Sequence, residues 1–372
     1  MGFCRYYDAH QCRSCTWIDL PYAEQLARKS ESLHRLLDPF APEKWLPAVA
    51  GPATKFRNKA KMVALESAEG VILGINEEVS LIGCPLYDEA MQHALSFIQQ
   101  WLRDLGIKAY DVQKRKGELK YVLLTRSSAN GTMMLRFVLR SHGVIGRLQR
   151  ALDELMAAFS EREVVSVNIQ PVPMAILEGE EEIFLTEKTR IEERLGGIPL
   201  FIRPKSFFQT NPEVAGKLYK HAAEWIDGIQ PKTIWDLFCG VGGFALHCAA
   251  PEREIIGIEI ESEAIACARD SAKLIGFENI RFEALDAVSF STDTHSKADV
   301  IIVNPPRRGI GEQLCEWVES ISPSHILYSS CNALTLAKDL ERLSSYRCVQ
   351  VQLFDMFPHT EHYEVLLLLE KR

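Results

Sequence analysis

The chain of 372 residues has no apolar run of the roughly eighteen residues needed to cross a bilayer. Its first residues, MGFCRYYDAH, lack the apolar core of a secretory signal. Both absences predict a cytoplasmic protein without a membrane partner. Excess positive charge is missing too, since 42 Lys and Arg stand against 50 Asp and Glu for a net charge of −8. A protein that coats nucleic acid nonspecifically is disfavoured, while a local basic patch on an acidic molecule still suffices to grip RNA. There is no internal repeat and no low-complexity tract, and nothing points to an obligate protein partner. What is present is apolar material, 47% of the residues, enough for two or three packed cores. Ten cysteines remain to be sorted; in a reducing compartment they mean metal binding, catalysis or core packing rather than disulfides.

Residues 1–50 hold a cysteine cluster and then one amphipathic helix, in which Leu26, Leu33 and Leu37 recur at spacings of seven and four. This segment reads as an appendage. Residues 51–190 show short alternating strands, turn signals and two helices, an α+β module. One helix is expected over 88–105 with Gly106 at its C-terminal cap, a second over 144–159, and strands 121–125 and 133–139 should pair through the turn at 127–131. From 191 to 372, buried apolar strands at 255–260, 300–303 and 326–328 alternate with helical stretches, the pattern of a doubly wound parallel sheet. The expected class is α/β, with a Rossmann-like C-terminal domain following a central α+β domain and an N-terminal cysteine segment.

The stretch IWDLFCGVGGF, residues 234–244, runs an apolar strand into a loop carrying Gly240, Gly242 and Gly243, where backbone is free to approach a ligand closely. Glu259 closes the next strand at the distance from which an acidic side chain typically receives ribose hydroxyls. A nucleoside-cofactor pocket follows from the pair. Gly240, Gly242 and Ala245 also satisfy the dinucleotide fingerprint, so a nicotinamide cofactor stays open, as does a plain tight turn.

ADVIIVNPPRRG ends the next strand with Asn304, Pro305, Pro306 and Arg307 at the carboxyl edge of the sheet, where ligands bind. The N-P-P run is shared with methyltransferases for exocyclic amines, in which Asn and a Pro carbonyl hold the amine and an aromatic residue follows; Arg307 stands in that place here. ILYSSCN then puts Cys331 past another strand at the same edge, ahead of a helix expected to begin near Ala333 whose N-terminus favours a thiolate. Uracil chemistry needs such a group. C5 of uracil is a poor nucleophile until a thiolate adds at C6, after which a base must remove the C5 proton. The base candidate is Glu364, in FPHTEHYEV at the start of the last apolar strand, expected to pair at the sheet edge beside the substrate. Cys248, Cys267 and Cys348 read as core, Cys315 is uninformative, and Cys239 fits a loop that demands a small residue.

The residues FFQTN, DLFCGVGG, NPPRRGIG, SSCN and FPHTEHYE resemble the RNA uracil-C5 methyltransferase family over nearly the whole chain. That resemblance implies a class I methyltransferase domain using S-adenosyl-L-methionine, with Gln209, Phe238, Glu259 and Asn304 contacting the cofactor, Cys331 as nucleophile and Glu364 as base. Within the family the chain is similar to the bacterial subgroup that converts uridine 747 of 23S ribosomal RNA to 5-methyluridine, a subgroup that also lacks an N-terminal β-barrel extension. A uridine elsewhere in 23S rRNA or in tRNA, or an exocyclic base amine, is the alternative target. Many relatives carry Asp where Asn304 stands, which changes the hydrogen bonds this side chain offers.

Cys4, Cys12 and Cys15 are spaced C-x7-C-x2-C, and Cys84 is followed by Pro85. The spacing suits either a tetrahedral zinc or an iron-sulfur ligand set. Resemblance to the family favours a 4Fe-4S cluster on these four residues, tying the N-terminal segment to the central module. For RNA, KFRNKAK places Lys55, Arg57, Lys59 and Lys61 at alternate positions, all facing one way if the segment is a strand, as a phosphate-tracking surface or a solvated face. Lys114, Arg115, Lys116 and Lys120 add a second basic segment, and Phe207 and Phe208 either stack on a base or fill core.

Overall fold

The computed structural model describes residues 3–75, 79–159, 163–174, 176–293 and 297–372, with only the helical backbone described at 291–293. Contacts divide the chain into two compact units, Met1–Ser14 with Thr54–Glu193, and Cys15–Ala53 with Arg194–Arg372. This grouping differs from a boundary at residue 50, because residues 15–53 belong to the C-terminal unit. Among the described residues no helix is long and apolar enough to cross a membrane.

In the first unit a six-stranded sheet runs Gly70–Gly74, Lys59–Ser67, Leu119–Arg126, Met133–Leu139, Val164–Ile169, Glu181–Phe184. Strands Leu119–Arg126 and Met133–Leu139 pair antiparallel as expected. Alternation gives one face to Ala60, Met62, Val122, Leu124, Leu135 and Phe137, all buried. The Glu89–Asp104 helix packs against this sheet through Met91, Leu95 and Ile98. Asp88 starts that helix by accepting from the Met91 N–H at 2.8 Å, and Gly106, at φ 62°, ends it. The second expected helix is interrupted: Ile145–Arg150 and Leu152–Ala158 are separated at Ala151, and nothing in the local sequence marks the break. The opposite sheet face buries Arg136, which donates to Glu182 at 2.9 Å.

The second unit contains an eight-stranded sheet in the order Lys44–Trp45, Tyr346–Phe354, Glu364–Lys371, His325–Ser330, Val300–Val303, Thr233–Leu237, Glu254–Glu259, Ile280–Ala284. Five strands from His325–Ser330 to Ile280–Ala284 are parallel and rich in Val, Ile and Leu, as strands covered on both faces must be. The parallel order expected from the alternating strands does not extend to Glu364–Lys371, which runs antiparallel to both its neighbours. It is also an interior strand rather than an edge strand, which explains its unbroken apolar run Val365 to Leu369.

The Tyr22–Leu37 helix joins this unit. Its buried residues are Gln25, Lys29, Leu33 and Leu37, a strict spacing of four, while Leu26 is only half-buried. Leu33 and Leu37 share the core cluster of Leu336, Leu340, Leu353 and Tyr363. The helix is thus structural material of the C-terminal core and not an appendage. We expect Leu37→Ala to lower stability by about 2–5 kcal/mol in urea denaturation, and Leu26→Ala to cost clearly less; equal effects would mean that the helix does not seat in this way.

Candidate active site

Three adjacent parallel strands end together. Leu237 pairs with Val303 on one side and Ile258 on the other, so Phe238, Asn304 and Glu259, each one residue further on, come to the same carboxyl edge. Phe238 takes a left-handed backbone, φ 62°, the kind of conformation found where a chain is bent to serve a site. Gly240 follows at φ 55°, and a Cβ there would meet nothing within 4 Å, which leaves an open cradle in front of the loop. Its N–H donates to Glu259 Oε2 at 3.1 Å, while the N–H groups of Ile260 and Glu261 donate to Oε1 at 2.8 and 3.1 Å. The carboxylate is therefore fixed in direction by backbone while half-exposed to a ligand. Burial pushes the Asp236 carboxyl up to about 8, with the Glu259 charge adding to the effect and the Ala245 N–H bond opposing it. An oriented carboxylate, an open glycine cradle and a buried loop suit the ribose and amino-acid parts of S-adenosylmethionine. Gln209 is buried two residues before Asn211, which caps the Pro212–Ile229 helix and donates to the Met356 carbonyl at 3.4 Å.

The antiparallel strand explains the other half of the site. Because Glu364–Lys371 runs against His325–Ser330, its first residue lies at the carboxyl end of the parallel strands. Ser330 and Val365 form the last pair of the ladder, so Cys331 and Glu364 each lie one residue beyond it, close enough to interact electrostatically. Glu364 is buried, and burial raises its carboxyl to about 7, partly offset by the Ser329 hydroxyl donating to Oε1 at 2.8 Å. Cys331 is half-buried. Burial raises its thiol, the Glu364 charge raises it further, and the guanidinium of Arg307 pulls it down. The N-terminus of the next helix, capped by Asn332, is expected to favour the thiolate as Arg307 does, against desolvation and the facing carboxylate. A neutral Glu364 and a thiolate Cys331 therefore favour each other.

Two residues stand at this site that sequence reasoning does not single out. Arg307, which occupies the place of an aromatic residue, is the cation beside Cys331. Its carbonyl accepts from Asn332 Nδ2 at 2.9 Å and Thr335 Oγ1 at 3.0 Å. Asp339, buried in the Ala333–Arg342 helix, accepts from the Ile310 N–H at 2.9 Å and the Tyr328 hydroxyl at 2.7 Å. Gly309, at φ 80°, passes so close that a Cβ would lie 2.3 Å from Asp339 Oδ2. Asp339 thus pins the loop that carries Arg307 to the strand that carries Cys331. The G-I-G of NPPRRGIG was the available signal. A cavity of about 920 Å³ opens at Cys331, lined by Trp17, Lys29, Arg35, Arg307 and His362 among others.

Other expected sites fare unevenly. Cys84 is raised to about 11 by burial, with the neighbouring Cys4 and Cys12 thiols adding to it, and the Tyr6 hydroxyl accepts from the Gly83 N–H at 3.1 Å. No group of three or more His, Cys, Asp or Glu side chains among the described residues is placed to hold a metal ion, so Cys4, Cys12, Cys15 and Cys84 do not form a ready ligand set. Of the alternating basic residues only Lys59 and Lys61 share a strand face; Lys55 has φ 54° and pairs with Glu89 at 2.9 Å, and Arg57 makes only an isolated bridge. Lys120 is buried, donating to the Val172 carbonyl at 2.5 Å, and so is no RNA contact in this structure. Phe208 is core, whereas Phe207 is 73% exposed.

Residues 21–372 match the family described as tRNA (uracil-5-)-methyltransferase. The 23S rRNA (uracil(747)-C(5))-methyltransferase RlmC of Shewanella loihica is 56% identical, with 99% of each chain covered. That of Shewanella oneidensis is 54% identical, covering 99% of this chain and 98% of the relative. Among solved structures, the tRNA (uracil-54, C5)-methyltransferase of Pyrococcus abyssi in complex with S-adenosyl-L-homocysteine superposes with a TM-score of 0.79 at 26% identity, covering 95% of this chain and 85% of that one.

A carboxyl raised to about 7 must lose its proton before it can act as a base, so activity limited by Glu364 should fall as pH drops through about 7. Ser329→Ala removes the hydrogen bond that stabilises the ionised form, and the acid limb of kcat against pH should move upward. A limb unmoved by that substitution would show that another group titrates.

Proposed function

This chain belongs to the tRNA (uracil-5-)-methyltransferase family, and from that membership and its 56% identity to the Shewanella loihica relative over 99% of both chains we propose that it methylates C5 of uridine 747 in 23S ribosomal RNA to give 5-methyluridine, as a cytoplasmic enzyme. The reading is carried by one observation, the opposition of Cys331 and Glu364 at the strand ends adjoining Phe238, Glu259 and Asn304. S-adenosylmethionine, held by those three residues and Gln209, supplies an electrophilic methyl group. Cys331 adds through sulfur to C6 of the uracil, and the electron pair of the C5–C6 double bond passes into an enolate that makes C5 nucleophilic. After C5 is methylated, Glu364 takes the C5 proton, the double bond re-forms and the C6–S bond breaks. Arg307 favours the thiolate at the first step and again as the sulfur leaves. Lys59 and Lys61, on one strand face, contribute to holding the RNA backbone.

A uridine in tRNA is the second reading, favoured by the activity of the Pyrococcus abyssi neighbour. The test is to mix the protein with S-adenosylmethionine and 5-fluorouridine-substituted RNA. Fluorine at C5 leaves no proton for Glu364 to remove, so the adduct persists through denaturation and can be mapped. We expect it on Cys331 with 23S rRNA fragments and not with tRNA, and we expect Cys331→Ala to lose activity by several orders of magnitude. An adduct only with tRNA would move the substrate. Full activity of the Ala variant would reject the covalent route.

The four-cysteine 4Fe-4S cluster stands as a separate proposal, resting on the family resemblance and on the half-buried Cys84 thiol lying near Cys4 and Cys12. Thiolates of this kind are soft ligands suited to iron-sulfur clusters. Anaerobically purified protein should contain iron and acid-labile sulfide, and Cys84→Ser should lose both. Stoichiometric zinc in their place would refute the cluster.

A further inference from the structure

The loop 355–363 leads directly into Glu364, and it is gripped by buried polar groups that the chemistry described above does not use. Lys29 donates to Asp355 Oδ1 at 2.7 Å with both side chains fully buried, and to the Phe357 carbonyl at 3.0 Å. Gln25, also fully buried, accepts from the His359 N–H at 2.8 Å through Oε1, while its Nε2 donates to the Trp17 and Leu20 carbonyls at 3.0 and 2.9 Å and meets His359 Nδ1 at 3.2 Å. His359 holds a left-handed backbone, φ 67°, and donates from Nε2 to the Ala53 carbonyl at 2.7 Å. The Trp17 N–H donates to the His359 carbonyl at 2.9 Å, and the Asp355 N–H to that of Val49 at 2.8 Å. The loop is thus tied to residues on both sides of the Tyr22–Leu37 helix as well as to the helix itself.

A buried ion pair is a poor device for stability alone, because well-packed apolar residues of similar volume do as well or better. What it does supply is a single geometry: Lys29 and Gln25 leave one way for the strained turn at His359 to sit. On the reading of Glu364 as the general base, we propose that Gln25 and Lys29 are positioning residues, which hold the 355–363 loop so that Glu364 faces Cys331 and His362 and Tyr363 complete the wall of the cavity. Gln25 reaches the site only through the loop; Lys29 also borders the cavity at Cys331, with its ammonium engaged by Asp355 and the Phe357 carbonyl.

The test is the double variant Lys29→Met/Asp355→Leu, which removes both charges and leaves neither buried alone, alongside Gln25→Leu, which spares the ion pair. Each is compared with the wild type for thermal unfolding, S-adenosylmethionine affinity, kcat, and covalent adduct with ordinary, unfluorinated RNA. Displacing the base should leave cofactor affinity and KM for S-adenosylmethionine unchanged and lower kcat about a hundredfold, the scale of loss set by misplacement of a reacting group by about an ångström. Methylated RNA should then stay attached to Cys331, because the C5 proton is not removed. Glu364→Gln serves as the control for the base. If it traps the adduct and the two clamp variants fold, turn over at the wild-type rate and trap nothing, the proposal is wrong. If Glu364→Gln traps nothing, the assignment of the base fails instead, and the clamp is decided by kcat alone: wild-type kcat overturns it, a selective loss sustains it. Should the double variant not fold, Gln25→Leu decides in the same way.

Discussion

The site depends on one topological fact, the insertion of the Glu364–Lys371 strand antiparallel between two strands that run the other way. In a purely parallel sheet every strand offers its carboxyl end to the ligand edge, and the residue that begins a strand lies a full strand length away. Reversing one interior strand brings a strand's first residue to that edge. Glu364 can then come near Cys331, each one residue beyond the last pair of a hydrogen-bonded ladder, which fixes their separation better than two loops would. Phe238, Glu259 and Asn304, at the ends of neighbouring parallel strands, inherit the same rigidity.

Electrostatics sharpen what topology sets up. Desolvation raises both Glu364 and Cys331, and each would be raised further if the other were charged, so burial disfavours having both ionised at once. A covalent route of the kind proposed needs them in turn, with the thiolate first and the carboxylate afterwards, once the sulfur is tied to carbon and carries no charge. The coupling that looks unfavourable in the resting site therefore suits the order of events. Arg307 biases the first state, and Asp339 keeps Arg307 where it can do so by holding the glycine loop against the Tyr328 hydroxyl.

Much of this was legible in the sequence because it rests on short-range rules. Strand ends, the glycine loop and the Asp88 and Gly106 helix boundaries follow from apolar runs and from residues with special backbone freedom. The resemblance to the family added residues such as Gln209 and Phe238, for which spacing carries no signal. What escaped was long-range. The strand order that makes Glu364–Lys371 interior is a property of pairing, and an apolar run reads alike whether its strand is parallel or reversed. The effect of Glu364 on Cys331 likewise exists only once the two are opposed. Lys120 shows the same limit from the other side, since a lysine in a basic cluster looks like an RNA contact until its ammonium is found buried against Gln170 and the Val172 carbonyl.

The Tyr22–Leu37 helix shows why the reading of a stripe can miss function. Scanning for apolar periodicity finds Leu33 and Leu37 and then drifts to Leu26, because the two preceding inward positions are Gln25 and Lys29. Polar residues on a buried face look like a defect in the pattern. Desolvating an amide and an ammonium costs free energy that apolar side chains would not have cost, so such residues persist where a defined geometry is worth more than the stability forgone. Here the buried polar half of the stripe meets the loop that leads into Glu364, and the apolar half meets the core. One helix is divided along its length between positioning the chemistry and holding the fold together, and the boundary falls where its inward residues change from polar to leucine.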